Sequence, residues 1–156
     1  MPSDPLFKKA VFLALQKISY RPRSSSEIAS HLKEKGFSEE VIKAALEHLG
    51  KIGYINDAEF AAYWVEGRTK RKPIGSLALK RELQKKGLKD EFAEKIVEER
   101  RSSCDEYEMA KRVALDRMDK MQDVDKKKAK KRLYDYLIRR GFEFDVVYKV
   151  LDEVFG

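Results

Sequence analysis

Residue types that commonly catalyse reactions or bind metals are scarce in this sequence and do not cluster. The chain holds two histidines, His31 and His48, and a single cysteine, Cys104. Each histidine stands beside a leucine in a helical pattern, so we interpret both as helix-surface residues at the edge of a core. No zinc-ligand spacing, Walker-type glycine loop or G-x-G-x-x-G motif is present. The sequence therefore predicts no catalytic residue, no metal site and no cofactor, and a protein that is not an enzyme.

Clustered positive charge is the feature that could do chemistry, namely the binding of phosphates. Residues 54–75 read YINDAEFAAYWVEGRTKRKPIG, where an aromatic helical face runs directly into a cationic turn. Arginine offers bidentate hydrogen bonds to phosphate. We interpret the aromatics Phe60, Tyr63 and Trp64 as core. The candidate partner- or nucleic-acid-binding residues are Arg68, Lys70, Arg71 and Lys72. The alternative, that these charges only solvate a turn, stays open.

A second cationic stretch covers residues 125–142, DKKKAKKRLYDYLIRRGF. Helical spacing places Ala129, Leu133, Tyr136 and Leu137 on one side, which we expect to pack inward. The remaining candidate binding residues lie on the other faces: Lys127, Lys128, Lys130, Lys131, Arg132 and Arg139. Such a face attracts phosphates or acidic side chains with a marked dependence on salt. The alternative is a helix kept soluble by like charge.

The whole chain shares this positive balance. Its 156 residues are 39% charged, with 34 Lys and Arg against 27 Asp and Glu, which gives a net charge of +7. A basic protein favours polyanionic partners, either nucleic acid or a protein with an acidic face. The lone Cys104 excludes an intrachain disulfide, and no apolar run is long enough for a signal peptide or a membrane span. We therefore expect a cytoplasmic monomer that does not associate with membranes.

The elements that must position these charges are helices. Apolar spacing is helical nearly throughout, and a helix-ending cluster occurs three times, as LKEKGF, LQKKGL and LIRRGF, at intervals of about 50 residues. Glycine ends helices because it adopts left-handed backbone angles at little cost. The pattern predicts an all-α fold of three tandem three-helix repeats that form an elongated, curved body. The predicted repeats cover residues 1–55, 56–103 and 104–156.

Helix starts are predicted from capping residues, whose side chains accept hydrogen bonds from free backbone amides. Ser24 with Glu27, and Ser103 with Glu106, have the S-x-x-E spacing of a capping box. Further predicted starts are Asp4 with Pro5, Ser38, and Asn56 with Glu59, and Ser76 is predicted to begin another short helix.

The second repeat resembles the RecX family, bacterial regulators of the recombinase RecA. The resemblance is carried by residues 54–57 (YIND), Phe60-Ala61, Trp64-Val65, Arg68, Gly75 and residues 83–88 (LQKKGL). Residues 21–24 (RPRS) through 36–38 (GFS) also resemble that family's first repeat. The likeness covers essentially the whole chain and is weaker after Ser103. Among the matching positions we interpret Tyr54, Asp57, Phe60 and Trp64 as architecture and Arg68 as exposed.

The resemblance implies a fold and a function. RecX proteins are all-α tandem repeats without enzymatic activity. They bind the RecA nucleoprotein filament and inhibit its ATPase, strand-exchange and coprotease activities, and many also touch single- or double-stranded DNA. This implies a role in homologous recombination, DNA repair and the SOS response.

Two other classes stay open on the sequence. Residues 24–55 resemble a winged-helix transcription regulator, although a wing needs two strands where the NDAEFAAYWVEGR pattern is helical. The alternative to a RecX-like protein is therefore a DNA-binding protein that tolerates many sequences and acts without RecA. The third class is a helical scaffold for an acidic protein.

Overall fold

Helices account for most of the chain in the computed structural model, which describes residues 4–156. The nine α-helices of this part are α1 (Pro5–Ile18), α2 (Ser25–Glu34), α3 (Glu39–Lys51), α4 (Asp57–Thr69), α5 (Ser76–Lys85), α6 (Asp90–Ser103), α7 (Glu106–Met118), α8 (Lys126–Arg139) and α9 (Phe144–Phe155). A 3-10 helix, Asp119–Met121, follows α7. The described residues contain no strand, which confirms the all-α prediction and excludes a wing after Ile55. None of their helices has both the length and the apolar character needed to cross a membrane.

Most of the predicted helix starts are confirmed. The Asp4 carboxylate accepts a hydrogen bond from the Leu6 amide at 2.9 Å, and Pro5 occupies the first turn of α1. Ser24 and Glu27 form the reciprocal capping box of α2. Ser38 caps α3, and the Asn56 side chain accepts hydrogen bonds from two amides of α4. These starts depend on local chemistry, because each cap lies within three residues of the amide it satisfies.

The predicted capping box at Ser103 is wrong. Ser103 is the last residue of α6, and its hydroxyl donates to the carbonyls of Glu99 and Arg100. Asp105 caps α7 instead, by accepting a hydrogen bond from the Glu108 amide at 3.2 Å. Aspartate competes well with serine at this position, and its negative charge also suits the helix N-terminus.

The helices divide between two compact units, and the first comprises Met1–Trp64 with Gln84–Lys89. Its core joins α1, α2 and α3 around fully buried side chains of Ala14, Ile28, Leu32 and Leu49. Burying a leucine or isoleucine side chain stabilises a fold by about 1.5–3 kcal/mol, so these residues supply the main stabilisation of the unit.

Hydrogen bonds with residues distant in the sequence hold the start of α2 in the first unit, and we call this arrangement a polar joint. The two carboxylate oxygens of Asp57 accept hydrogen bonds from the Ser25 amide and hydroxyl, both at 2.8 Å. The Ser24 hydroxyl donates to the Lys86 carbonyl at 2.7 Å. Gly87 has a φ of +91° and lies so close to Ser26 that a Cβ at position 87 would overlap its side chain. The start of α2 therefore depends on residues far away in the sequence.

The second unit comprises Val65–Leu83 with Asp90–Gly156. Its largest hydrophobic cluster joins α7, α8 and α9 around the buried side chains of Leu133, Leu137, Phe142 and Val147. The inward face predicted for residues 125–142 is confirmed, since Ala129, Leu133, Tyr136 and Leu137 are all buried.

The second unit repeats the polar joint at the start of α5. The Glu106 carboxylate accepts hydrogen bonds from the Ser76 amide at 2.6 Å and from the Ser76 hydroxyl at 2.8 Å. The amide of Gly75 donates to the Arg140 carbonyl at 2.8 Å, and that of Leu77 donates to the Gly141 carbonyl at 3.0 Å. An acidic residue and a close-packed glycine thus fix both α2 and α5.

Gly141, the glycine that follows α8, has a second role at the start of α5 besides ending a helix. Gly36 and Gly141 both end helices with positive φ, at +91° and +87°. Gly36 has open space where a Cβ would be, whereas a Cβ on Gly141 would lie 2.5 Å from the backbone nitrogen of Ala78. Gly141 is therefore required both for its backbone angles and for close packing.

Candidate partner-binding surface

The end of α4 and the turn after it contain four cations, of which two form ion pairs within the described part of the chain and two do not. The Arg68 Nε donates to Glu82 at 2.9 Å, and the Lys70 Nζ donates to Glu66 at 2.6 Å. That hydrogen bond and the lysine charge hold the pKa of Glu66 below its ordinary value. Arg71 and Lys72 are exposed, and neither forms an ion pair with a described residue. Of the four predicted cations, these two are the better placed to meet a partner.

Arginines from two other helices hold the backbone of this turn. Arg140, which follows α8, donates to the carbonyls of Lys72 and Pro73 at 2.5 Å and 3.2 Å. Arg112 of α7 makes longer contacts of 3.4 Å with the carbonyls of Thr69 and Lys70. Because the carbonyls are bound by these donors, the turn presents Arg71 and Lys72 from a fixed backbone. The sequence reasoning missed this role of Arg140 and Arg112.

The structure brings both predicted cationic stretches together around Tyr136, a buried residue of α8. Lys72 from the turn lies over its ring at 5.4 Å from the centroid, and Arg139 of α8 lies at 6.0 Å. Arg117 of α7, which the sequence did not single out, is closer at 4.6 Å. A cation over an aromatic face gains about 0.5–1 kcal/mol at exposed sites, which offsets part of the repulsion between these charges.

The exposed cations of α8 fall on two faces of the helix. Lys128, Arg132 and Arg139 are spaced by four and seven residues, which places them in one row beside Tyr136. Lys127, Lys130 and Lys131 lie on the adjoining face, where all three line one groove. None of these six forms an ion pair with a described residue, and Asp135 is the only acid within α8. We define the basic surface as Arg71, Lys72, Arg117, Lys128, Arg132 and Arg139.

This surface is suited to binding a polyanion. Its unpaired cations lie on the α7–α8 part of the second unit, and hydrogen bonds hold the turn that contributes Arg71 and Lys72. Such an array binds phosphates or carboxylates with little reorganisation, and added salt weakens the binding. The described residues hold no group of three or more His, Cys, Asp or Glu side chains that could bind a metal.

The interpretation of the motif aromatics as core is confirmed only in part. Phe60 is fully buried, and Asp57 fixes the start of α2. Trp64 is half-buried and stacks on Phe60 with ring centroids 5.8 Å apart, while Lys86 lies 4.8 Å from its centroid. The interpretation is wrong for the side chain of Tyr63, which is 43% exposed, and Tyr54, interpreted as architecture, is 57% exposed. Helical periodicity alone did not distinguish these outer positions from the core.

In the first unit, a different group of cations surrounds one carboxylate. Glu27 accepts from Arg21 at 2.6 Å and lies 3.5 Å from Arg23 and 3.7 Å from Lys86. Burial alone would raise the pKa of Glu27, but the hydrogen bonds from Arg21 and Ser24 and the nearby cations hold it below its ordinary value. All three cations lie against the carboxylate of Glu27, whereas the cations of the basic surface form no ion pair with a described residue.

Comparison with known protein families gives three consecutive matches along the chain. Residues 12–49 match the first three-helix domain of RecX, residues 56–102 match the second, and residues 105–151 match the third. The matches follow the order of these domains in the family and leave only short segments uncovered.

Individual relatives and a solved structure agree with this result. The regulatory protein RecX of Amycolatopsis mediterranei is 33% identical over 153 residues, which covers 98% of this chain and 87% of the relative. That of Prosthecochloris aestuarii is 33% identical over 152 residues, which covers 97% of each. The crystal structure of RecX from Lactobacillus salivarius superposes with a TM-score of 0.80 at 22% identity, over 95% of this chain and 96% of the other. At that identity, the last comparison concerns the fold alone.

Proposed function

The chain belongs to the RecX family of regulatory proteins, and on that basis we propose that it is a negative modulator of RecA. In this proposal it binds the RecA nucleoprotein filament and inhibits ATP hydrolysis, strand exchange and coprotease activity. The observation that carries the proposal is the run of three family matches in order across residues 12–151. Its role would lie in homologous recombination, DNA repair and the SOS response.

The charge of the protein supports a filament as the partner. The chain carries a net charge of +7, and a filament of RecA on DNA presents phosphates and acidic side chains along its length. We propose that the basic surface contacts this polyanion, with Arg71, Lys128 and Arg132 as direct contacts. The ring of Tyr136 and the hydrogen bonds of Arg140 would keep the neighbouring cations in place.

The tandem repeats suggest how a small protein could hold such a partner. A filament offers the same site at regular intervals, so three similar repeats can contact successive protomers. Linked contacts raise the effective concentration of each following contact, and the overall affinity exceeds that of one repeat. In this proposal the protein acts as a cytoplasmic monomer, by binding and without catalysis.

A second candidate function is sequence-tolerant DNA binding that needs no RecA. It is favoured by the unpaired cations of the basic surface, which would bind phosphates of any duplex or single strand. The two functions differ in stoichiometry. A protein that competes for DNA must cover the DNA before RecA is displaced. A filament regulator acts while little of the DNA is covered by the regulator.

The distinguishing experiment is a titration of the protein into the single-strand-dependent ATP hydrolysis of RecA. The protein is added far below the concentration of RecA and below saturation of the DNA, beside a lysine-rich control protein of equal charge. We expect hydrolysis to fall at these low concentrations with this protein and not with the control. Unchanged hydrolysis until the DNA is covered would refute filament regulation and favour plain DNA binding.

A further inference from the structure

The first unit contains a polar pocket where the end of α1, one face of α2 and the end of α5 meet. Its volume is about 250 Å³, and every residue that lines it belongs to this unit. Five of the lining side chains are cationic or become so on protonation: Lys17, Arg23, His31, Lys85 and Lys86. The described residues contribute no apolar side chain to the lining, which favours a small polar ligand over an apolar segment of a partner.

The pocket keeps a positive charge although two carboxylates, Glu27 and Glu34, also line it. Glu27 accepts a hydrogen bond at 2.6 Å from Arg21, a cation outside the lining. Lys17 and Lys85 form no ion pair with a described residue. The lining thus holds four permanent cations against two carboxylates, before any charge on the histidine, and the pocket attracts anions.

His31 is the group in this pocket whose charge can respond to a ligand. Partial burial and the positive charges of Lys17, Lys35 and Arg23 hold the pKa of His31 below its ordinary value, while Glu34 acts in the opposite direction. The other charged groups of the pocket are Glu27, Lys85 and Lys86. The imidazole is therefore mainly neutral at pH 7, and an anion that offsets the nearby cations favours its protonation.

Hydrogen bonds hold the walls of the pocket in place. The Arg23 Nε donates to the Lys17 carbonyl at 3.3 Å, which connects the end of α1 with the turn before α2. The Ser24 hydroxyl donates to the Lys86 carbonyl at 2.7 Å, which connects the start of α2 with the residue after α5. The cations therefore come from three segments whose backbones are already joined, so a ligand binds with little reorganisation.

We propose that this pocket binds a small dianionic oxyanion, either inorganic phosphate or the phosphate group of a small ester, with Lys17, Lys85 and His31 as donors. The dianion offsets the repulsion between the cations, and His31 takes up a proton as it binds. A phosphate within a nucleic acid strand carries a single negative charge, so the pocket favours a free or terminal phosphate over a strand.

This inference goes beyond the proposed function, because the site needs neither RecA nor DNA. A bound anion would contact α1, α2 and the end of α5 at once. It would therefore stabilise the folded first unit in proportion to its concentration.

Nuclear magnetic resonance of the full chain tests the proposal, because the protein has only two histidines. His48 contacts Phe7 with ring centroids 5.5 Å apart and does not line the pocket, so it serves as the internal reference. The probes are sodium sulfate, which stays a dianion from about pH 6 to pH 8, inorganic phosphate, glycerol phosphate and sodium perchlorate. Perchlorate is a monoanion of the same tetrahedral shape, and all probes are compared at equal ionic strength.

We expect sulfate and inorganic phosphate to shift the imidazole signals of His31 saturably and to raise its pKa, while His48 stays unchanged. Perchlorate should have little effect. Because the proton that His31 takes up is more available in acid, sulfate should bind several-fold more tightly at about pH 6 than at about pH 8. Comparison of inorganic phosphate with glycerol phosphate shows whether the pocket prefers the free ion or a small ester.

Two variants separate the roles of the donors. Lys17→Gln should weaken sulfate binding about fivefold, the effect of one charge pair, whereas Lys33→Gln, the same change on α2 outside the pocket, should not. His31→Gln should still bind sulfate but without dependence on pH, because glutamine cannot be protonated. The amide signals of Ser26 and Ser30, which line the pocket, report binding in this variant.

An unchanged His31 signal with sulfate and phosphate, or an equal shift with perchlorate, would overturn the proposal. So would a shift caused by an oligothymidylate but by neither free ion, because the pocket would then hold strand phosphates only. Equal weakening by Lys17→Gln and Lys33→Gln would reduce the effect to net charge and overturn the assigned donors. The RecA hydrolysis titration tests the proposed function separately, since these measurements contain no RecA.

Discussion

Substituting Gly141 by alanine should destabilise the protein far more than the same change at Gly36, although both glycines end helices with nearly equal φ. At Gly36 the added methyl enters open space, so the change costs only the left-handed backbone strain of alanine. At Gly141 the methyl would lie 2.5 Å from the nitrogen of Ala78 and 2.8 Å from its Cα. Those atoms belong to the first turn of α5 and have little freedom to move.

The expected magnitudes follow from these two situations. A left-handed conformation costs about 1–2 kcal/mol for a residue with a Cβ. Alanine also lowers the conformational entropy of the unfolded chain, which offsets part of this cost. Gly36→Ala should therefore lower the free energy of unfolding by about 1 kcal/mol. Overpacking adds about 1–3 kcal/mol, so Gly141→Ala should cost roughly 2–4 kcal/mol. For a chain of this size, each kcal/mol lowers the melting temperature by about 2–4 °C.

The assay is urea unfolding and thermal melting of both variants, followed by far-ultraviolet circular dichroism. A third variant, Gly141→Ala/Ala78→Gly, removes the methyl of residue 78 but leaves its backbone atoms close, so only part of the loss should return. Equal losses for Gly141→Ala and Gly36→Ala would refute the reasoning, since they would show that the close approach at the joint has no energetic role.

Three further predictions concern polar contacts. Glu106→Ala should lower the free energy of unfolding by about 1–3 kcal/mol, because it leaves a buried helix start without its acceptor, whereas Glu108→Ala on the same helix should change it little in the same urea titration. Arg140→Ala should speed hydrogen exchange in the turn of residues 70–73 by removing its carbonyl contacts, and Arg139→Ala should not. The pKa of Glu27 is held below 4.5 in the folded state, so its carboxylate stabilises the fold above that pH and loses this effect as the pH falls through the depressed value. Glu27→Gln should therefore destabilise the protein near neutral pH, and its difference from the wild type in urea unfolding should shrink as the pH falls through the depressed pKa of Glu27.

Local signals in the sequence were sufficient to predict the helical fold. Helical periodicity located the helices, and caps such as Ser24 and Ser38 lie within three residues of the amides they bind. The glycine that ends α8 was recognisable because its role there depends on its own backbone angles. The one wrong start, at Ser103, arose where Asp105 satisfied the amide that the pattern had assigned to the serine.

The polar joints could not be predicted, because they connect residues far apart in the sequence. Glu106 has the spacing of a local capping partner for Ser103, yet its carboxylate binds Ser76, thirty residues earlier. Nothing in the local sequence distinguishes these two roles. The same holds for Asp57, whose partner Ser25 lies 32 residues earlier in the sequence.

The sequence predicted which cations belong to the candidate surface, but it did not predict their ion pairs or their positions around Tyr136. Charge alone could not show that Arg68 and Lys70 have carboxylate partners while Arg71 has none among the described residues. It also could not show that Lys72, Arg117 and Arg139 share the ring of Tyr136, since they come from separate elements. Which of these residues contact a partner stays a prediction.

The most direct test of regulation through the basic surface is the RecA hydrolysis titration with two charge-matched variants. The surface variant is Lys128→Gln/Arg132→Gln/Arg139→Gln, and the control variant is Lys8→Gln/Lys9→Gln/Lys43→Gln. Each removes three positive charges from exposed positions, so any effect of net charge is equal. We predict that the control variant inhibits hydrolysis at the same low concentrations as the wild type, while the surface variant loses inhibition. Equal inhibition by both variants would contradict the assignment of this surface, and no inhibition by the wild type would contradict the proposed function.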